Sequence, residues 1–224
     1  MKRLLVLLAV VGFARTVLAE APVAPETKIC KVGKLVAFEK FDKPDVMVAK
    51  GKVEAGQWRD GLGDWKTIDG AAYAIQEAPS EQRPNGHEAV CEYVTDMGDF
   101  VLTAEFKMNQ SPQVAFVFRD TNQPNLHQGR VMIKPDAFWI QKMSGISKET
   151  RREELKRIKQ DTDPEKWHKI TIEVCGDRMR ATLDGQEIEA SHERFLEHKG
   201  RIGFVARGEG ALFRNVAIWE ASAK

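Results

Sequence analysis

The sequence predicts an all-β fold, a two-sheet sandwich closed in one domain, and three observations carry that prediction. Phe100, Leu102, Ala104, Phe106 and Met108 alternate with Val101, Thr103, Glu105 and Lys107, the period of two that marks a strand with one face on a core. The stretch from Trp167 to Trp219 consists of short alternating segments punctuated by Gly176-Asp177 and Asp184-Gly185, dipeptides that favour tight hairpins. Strand signals also recur at short intervals from Leu35 onward with turn residues between them, as in a sandwich.

Taken in order, Glu20 to Thr27 is rich in Pro and Ala and reads as a flexible leader, which we extend to residue 34. Leu35 to Phe41 reads as the first strand. Asp42 to Asp64 has little periodicity and is expected to be a long loop with short extended pieces. Trp65 to Gln76 resembles a hairpin around Asp69-Gly70, and Ala78 to Gly86 carries Pro79, Pro84 and Asn85-Gly86, so it reads as a loop. Further strands are expected at Glu88 to Val94, Phe100 to Met108, Val114 to Arg119, Arg130 to Lys134 and Phe138 to Lys142. One segment breaks the pattern. Ser147 to Lys159 has helical propensity, a capping box at Thr150 and Glu153, and an apolar stripe of Ile146, Leu155 and Ile158, so a short helical insertion is expected near 147–160. That helix would be a solvated excursion with a favourable Glu153–Arg157 pair. The closing strands are Trp167 to Cys175, Arg178 to Leu183, Glu187 to Ala190, Arg201 to Ala206 and Ala211 to Trp219, with Trp167 and Trp219 in the core.

The first nineteen residues have the layout of a signal peptide. Lys2 and Arg3 precede an apolar run from Leu4 to Val11, and Val17-Leu18-Ala19 is a small-residue cleavage site. Cleavage near Ala19 would export the protein to the periplasm or the extracellular space. The run is too short to span a bilayer, and no later stretch is long and apolar enough to do so. Losing Lys2, Arg3 and Arg15 with this leader leaves 31 basic residues against 33 acidic ones, a net charge of −2. A balance of that kind has no global basic field and argues against nucleic acid as a partner. Residues 35–220 are long enough for one sizeable core. Cys30, Cys91 and Cys175 are an odd number without C-x-x-C spacing, which argues against zinc. Cys91 and Cys175 either bridge or remain buried thiols.

Several motifs, in order, resemble the 3-keto-disaccharide hydrolase family, also described as 3-keto-glucoside lyases and hydratases. Met97-Gly98-Asp99-Phe100 to Lys107 is similar to its "gDFeLrlEFr" strand, and Val114 to Arg119 to its "sGvflR" strand. Glu165-Lys166-Trp167-His168 is similar to "geWn", Leu183-Asp184-Gly185 to "lNG", Gly200 to Phe204 to "GrIGlq", and Phe213-Arg214-Asn215-Val216 to "FRNIri". The resemblance runs from about Val36 to Glu220. It implies a concanavalin-A-like jelly roll and hydrolysis or elimination at a 3-keto-glycoside, with a carbohydrate or glycoside as ligand. The chain departs from the family at Gln128-Gly129-Arg130-Val131-Met132, where the family carries a Gly-Tyr-Glu-x-Gln pattern. A base thus stands at or beside the acid's position, and the usual pair of carboxylates for glycoside cleavage is incomplete there. The alternative is a non-catalytic glycan-binding or accessory envelope protein.

The candidate catalytic residues are Glu105, as acid or base on the polar face of its strand, and Arg119, polarising a keto oxygen. Equally, Glu105 is a solvent-facing glutamate paired with a nearby base, and Glu173 has the same character. The candidate substrate-binding residues are His127 and Arg130, which with Arg119 would form a cationic, donating pocket, and Trp139, which either stacks on a sugar ring or belongs to the core. Asp96, Asp99 and Asp120 could hold calcium, although no D-x-D-x-D loop is present. No nucleophile elbow, Walker loop or dinucleotide fingerprint occurs.

Overall fold

Alternation and turns build, among the described residues, sixteen strands and the 3-10 turn Glu193–Leu196. The computed structural model describes residues 21–44, 46–48, 54–120, 126–145 and 149–224. The expected signal peptide lies outside them. Strands β1 (Cys30–Glu39), β4 (Asp64–Ile68), β5 (Ala71–Ile75), β7 (Phe100–Lys107), β12 (His168–Cys175), β13 (Arg178–Leu183), β14 (Gln186–Ser191) and β16 (Glu209–Ala223) form the first sheet. Its order is β14-β13-β12-β7-β16-β5-β4, with β1 also paired to β16. The second sheet runs β11-β10-β9-β8-β15-β6-β3-β2. Its members are β2 (Met47–Val48), β3 (Trp58–Leu62), β6 (Ala89–Met97), β8 (Gln113–Asp120), β9 (His127–Lys134), β10 (Ala137–Ser144), β11 (Arg151–Lys159) and β15 (Lys199–Arg207). Pairing is antiparallel except between β2 and β3. The two sheets face each other across one apolar core, in which Phe106, Phe116, Phe204 and Phe213 meet edge-on or stacked. The expected all-β sandwich is therefore the observed fold.

The Asp-Gly hairpins form as expected. Asp69-Gly70 and Asp184-Gly185 both take left-handed φ at each position (51° and 71°, 48° and 87°), which matches the right-handed twist of the flanking strands.

Several expectations are corrected. Of the segment expected to be helical, residues 147–148 lie outside the described residues and 151–159 are β11, a strand at the edge of the second sheet. Its Leu155 and Ile158, three apart, suggested a helical stripe. A register shift where Ile140 and Gln141 meet Lys156 and Glu154 leaves Leu155 as a bulge, and both apolar side chains then reach the core from a strand. Glu153 pairs across strands with Lys142 and Arg157 with Glu154, so the expected Glu153–Arg157 pair does not form. The stretch Asp42 to Asp64, expected to be a long loop with short extended pieces, holds β2 and β3 as such pieces, and Trp58, not singled out, enters the core. The last residues of the expected leader belong to β1, which begins at Cys30. Trp167, expected in the core, is half-buried with the Arg214 guanidinium 3.8 Å above its ring. Cys91 points into the core while Cys175 lies on the outer face of the first sheet, so the two cannot bridge; all three thiols are free and buried.

Candidate functional site

Because side chains alternate along a strand, each sheet has an outer face opposite the core. In the second sheet the inward set includes Val114, Phe116 and Phe118 of β8, Val131 and Ile133 of β9, and Ile202 and Phe204 of β15. The residues between them point outward and line up across strands in three rows. The first is apolar: Leu62, Val90, Val205, Ala115, Met132 and Trp139. The second runs Arg59, Glu92, Gly203, Val117, Arg130 and Gln141. The third brings Arg201 beside Arg119 and Arg119 beside His127.

Polar side chains on this face are buried to a degree unusual for an outer surface. Glu92 is 2% exposed, Arg119 8% and Arg130 7%. Glu92 is the centre of the network: Arg119 Nε donates to its Oε1, and Arg201 Nη1 lies 3.8 Å from its Oε2. Arg119 Nη1 also reaches His127 Nε2 at 3.0 Å. Since a guanidinium only donates, His127 accepts at Nε2 and carries its proton on Nδ1. Burial, followed by the Arg119 and Arg130 charges, pushes the His127 pKa down to about 2, so the ring is neutral at physiological pH. Arg130 Nη1 has Glu88 Oε2 at 3.5 Å, and Glu88 also accepts from Gln113 Nε2 at 2.6 Å. Trp139 Nε1 donates to Gln141 Oε1 at 3.1 Å, and the Arg157 guanidinium covers its ring at 3.7 Å. Trp139 thus forms part of the apolar row beneath Arg157.

Of the residues singled out from sequence, Arg119, His127, Arg130 and Trp139 share this face. Glu105 does not. It lies on β7 in the first sheet, between Ala104 and Phe106 of the core, and its outward carboxylate accepts from Arg214 Nε at 2.7 Å. Glu105 and Arg119 therefore point to opposite surfaces of the sandwich and cannot act on one substrate atom. Glu173 is structural, its carboxylate accepting from the backbone amides of Lys28, Ile29 and Cys30 at 2.8–3.0 Å. Sequence reasoning missed Glu92, Arg201, Gln141 and Glu88. The available signal was the alternation of Val90-Cys91-Glu92-Tyr93-Val94, a charge inside an otherwise apolar strand. Among the described residues, no three His, Cys, Asp or Glu side chains gather as a metal site. Asp99, one of the calcium candidates, accepts from Gly176 N and the Cys175 thiol.

Fold and face define a two-sheet jelly roll with a polar, arginine-rich outer surface. The chain belongs to the 3-keto-alpha-glucoside-1,2-lyase-like domain family, whose profile matches residues 47–219, and is a carbohydrate-related domain. Its structure is similar to carbohydrate-binding module CBM66 from Bacillus subtilis (TM-score 0.59, 16% identity, covering 78% of this chain and 99% of that one). It is also similar to a Bacillus subtilis protein of unknown function with a galectin-like fold (TM-score 0.59, 14% identity, 87% and 100% covered). A third similar structure is the CBM2 module of the evolved Dit of Lactobacillus casei BL23 phage J-1 (TM-score 0.55, 11% identity, 88% and 99% covered). At these identities the likeness shows the fold. No curated protein sequence matches the chain.

Proposed function

We propose that this is an exported domain that binds a carbohydrate or glycoside on the outer face of the second sheet. The observation that carries the reading is that Arg119, His127, Arg130 and Trp139, drawn from three strands, share one outer face on which Arg119 links the buried Glu92 to His127. Family membership supports a sugar as the ligand. Export rests on the leader sequence. Binding is favoured over turnover because Glu92 is held by Arg119 and faced by Arg201, while Glu88 is held by Gln113 and faced by Arg130. Neither is a free acid able to protonate a leaving group.

A second reading follows from the family, namely elimination or hydrolysis at a 3-keto-glycoside. In the elimination, Glu92 would take the proton from C2 and Arg119 would stabilise the enolate forming at the 3-keto oxygen. The C1–O bond would then break, and the departing alkoxide would take a proton from water. Glu105, on the opposite face, has no part in it.

Incubation with 3-keto-disaccharides, read by sugar release and by calorimetry, separates the two readings. Binding without release, lost in Arg130→Ala, is the expected result. Release that Glu92→Gln abolishes and Glu105→Gln leaves intact would replace the binding reading with the catalytic one.

A further inference from the structure

The outer face of the second sheet is electrically unbalanced. Arg59, Arg119, Arg130, Arg157 and Arg201 stand on it against three carboxylates, Glu88, Glu92 and Glu154, the last paired with Arg157. The balance within two other pairs is also poor. Arg130 has Glu88 only at 3.5 Å, the limit of hydrogen-bond reach, and Arg201 has Glu92 only at 3.8 Å, beyond it. Burial lowers the pKa of both guanidinium groups, and the carboxylates only partly oppose it. A buried charge is tolerated when it is paired, so this face lacks negative charge.

Hydrogen bonding tells the same story by an independent route. Among the described residues, the buried donors of this face without a partner are Arg59 Nε, His127 Nδ1, Arg130 Nε, Gln141 Nε2 and Arg201 Nε, against a single unpartnered acceptor, Gln128 Oε1 at the β9 bulge. With His127 accepting at Nε2 and Gln141 accepting at Oε1, every one of the five is a donor. A neutral sugar presents hydroxyls that both donate and accept, and, Gln128 Oε1 aside, the acceptors left for their protons are the Glu88 and Glu92 oxygens already faced by arginines. A carboxylate accepts at two oxygens, donates nothing and matches the planar fork of arginine.

We propose that the ligand of this face is an acidic saccharide, recognised through a uronic-acid carboxylate by Arg130, Arg201 and the Nδ1–H of His127. This inference rests on the carbohydrate-binding reading above and names the class of sugar.

The test is calorimetric titration of the full-length mature protein with a uronic-acid oligosaccharide and with its neutral methyl ester, alongside sodium acetate as a simple carboxylate. The acid should bind at least tenfold more tightly than the ester, weaken with added salt, and lose that preference in Arg130→Gln and in Arg201→Gln. Acetate should bind far more weakly, because the sugar ring supplies the remaining contacts. Arg178→Gln, at an exposed ion pair with Glu189 on the first sheet, should leave the preference intact. If acid and ester bind alike, the acidic-sugar inference falls while the carbohydrate-binding reading stands. If neither binds, both fall. If acetate competes as well as the oligosaccharide, the face is a simple anion site and the sugar assignment is overturned. The comparison of acid with ester on the wild type decides the matter even if a buried-arginine variant does not fold.

Discussion

Lys199 shows how a single residue reports on the interior. It is 0% exposed, its ammonium donates to Phe195 O at 2.6 Å, and it lies 5.9 Å from the centre of the Phe118 ring. Burial lowers its pKa from 10.5 to about 8. Below pH 8 both folded and unfolded chains hold the proton, and the fold bears the full cost of a buried ammonium. Between about 8 and 10.5 the unfolded chain holds a proton that the folded chain has released, so stability rises with pH through that window. The Lys199 contribution should be about 3 kcal/mol, read as the difference between wild type and Lys199→Met in urea unfolding at pH 7 and pH 10.5, a comparison that cancels the opposing loss from the buried thiols of Cys30, Cys91 and Cys175, whose pKa values are raised by burial. Lys199→Met should remove this rise and be the more stable protein at pH 7. Gly203 makes a steric prediction. A Cβ there would stand 2.0 Å from Cys91 O in the neighbouring strand. Gly203→Ala should therefore cost about 3 kcal/mol or more in unfolding free energy and disturb the register that places Glu92 beside Arg119. Neither effect is visible in sequence, where Lys199 and Gly203 are an ordinary charge and an ordinary glycine.

At the scale of elements, the entry into β1 depends on one carboxylate. Glu173, outward on β12, gathers the amides of Lys28, Ile29 and Cys30 and pins the start of β1 over the first sheet. Removing it would leave buried amides without an acceptor. Glu173→Ala should cost about 2–3 kcal/mol. It should also abolish hydrogen-exchange protection at those three amides before the rest of the sheet is affected. The β11 edge shows why local pattern can mislead. Its composition favours a helix, yet pairing with β10 satisfies its backbone, and the bulge at Leu155 lets residues three apart share the core side of a strand. The hairpins were legible because their turns are chemically specified within two residues. The β3 strand was not, because Trp58-Arg59-Asp60-Gly61-Leu62 shows no alternation once its bulge between Asp60 and Leu62 is counted.

At the scale of the whole molecule, the two outer faces are chemically separate. The first sheet presents Glu105 with Arg214 and the Arg178, Arg180, Glu187 and Glu189 ion pairs. The second presents the Glu92 network. Substitutions on the first face should leave ligand affinity within about twofold. Glu92→Gln, which frees Arg119 and Arg201, should alter it by at least tenfold, as read by calorimetry with the same saccharide. The sequence by itself determined the all-β class, the Asp-Gly turns, the family and four members of the candidate face, Arg119, His127, Arg130 and Trp139, because strand alternation and turn chemistry are properties of adjacent residues. Only the tertiary structure decided that Glu105 and Arg119 face opposite ways, that Glu92 is buried against Arg119, and that residues 151–159 form a strand. Those outcomes depend on which strands pair across the chain, and pairing between distant segments is set by the shared core and not by any local spacing.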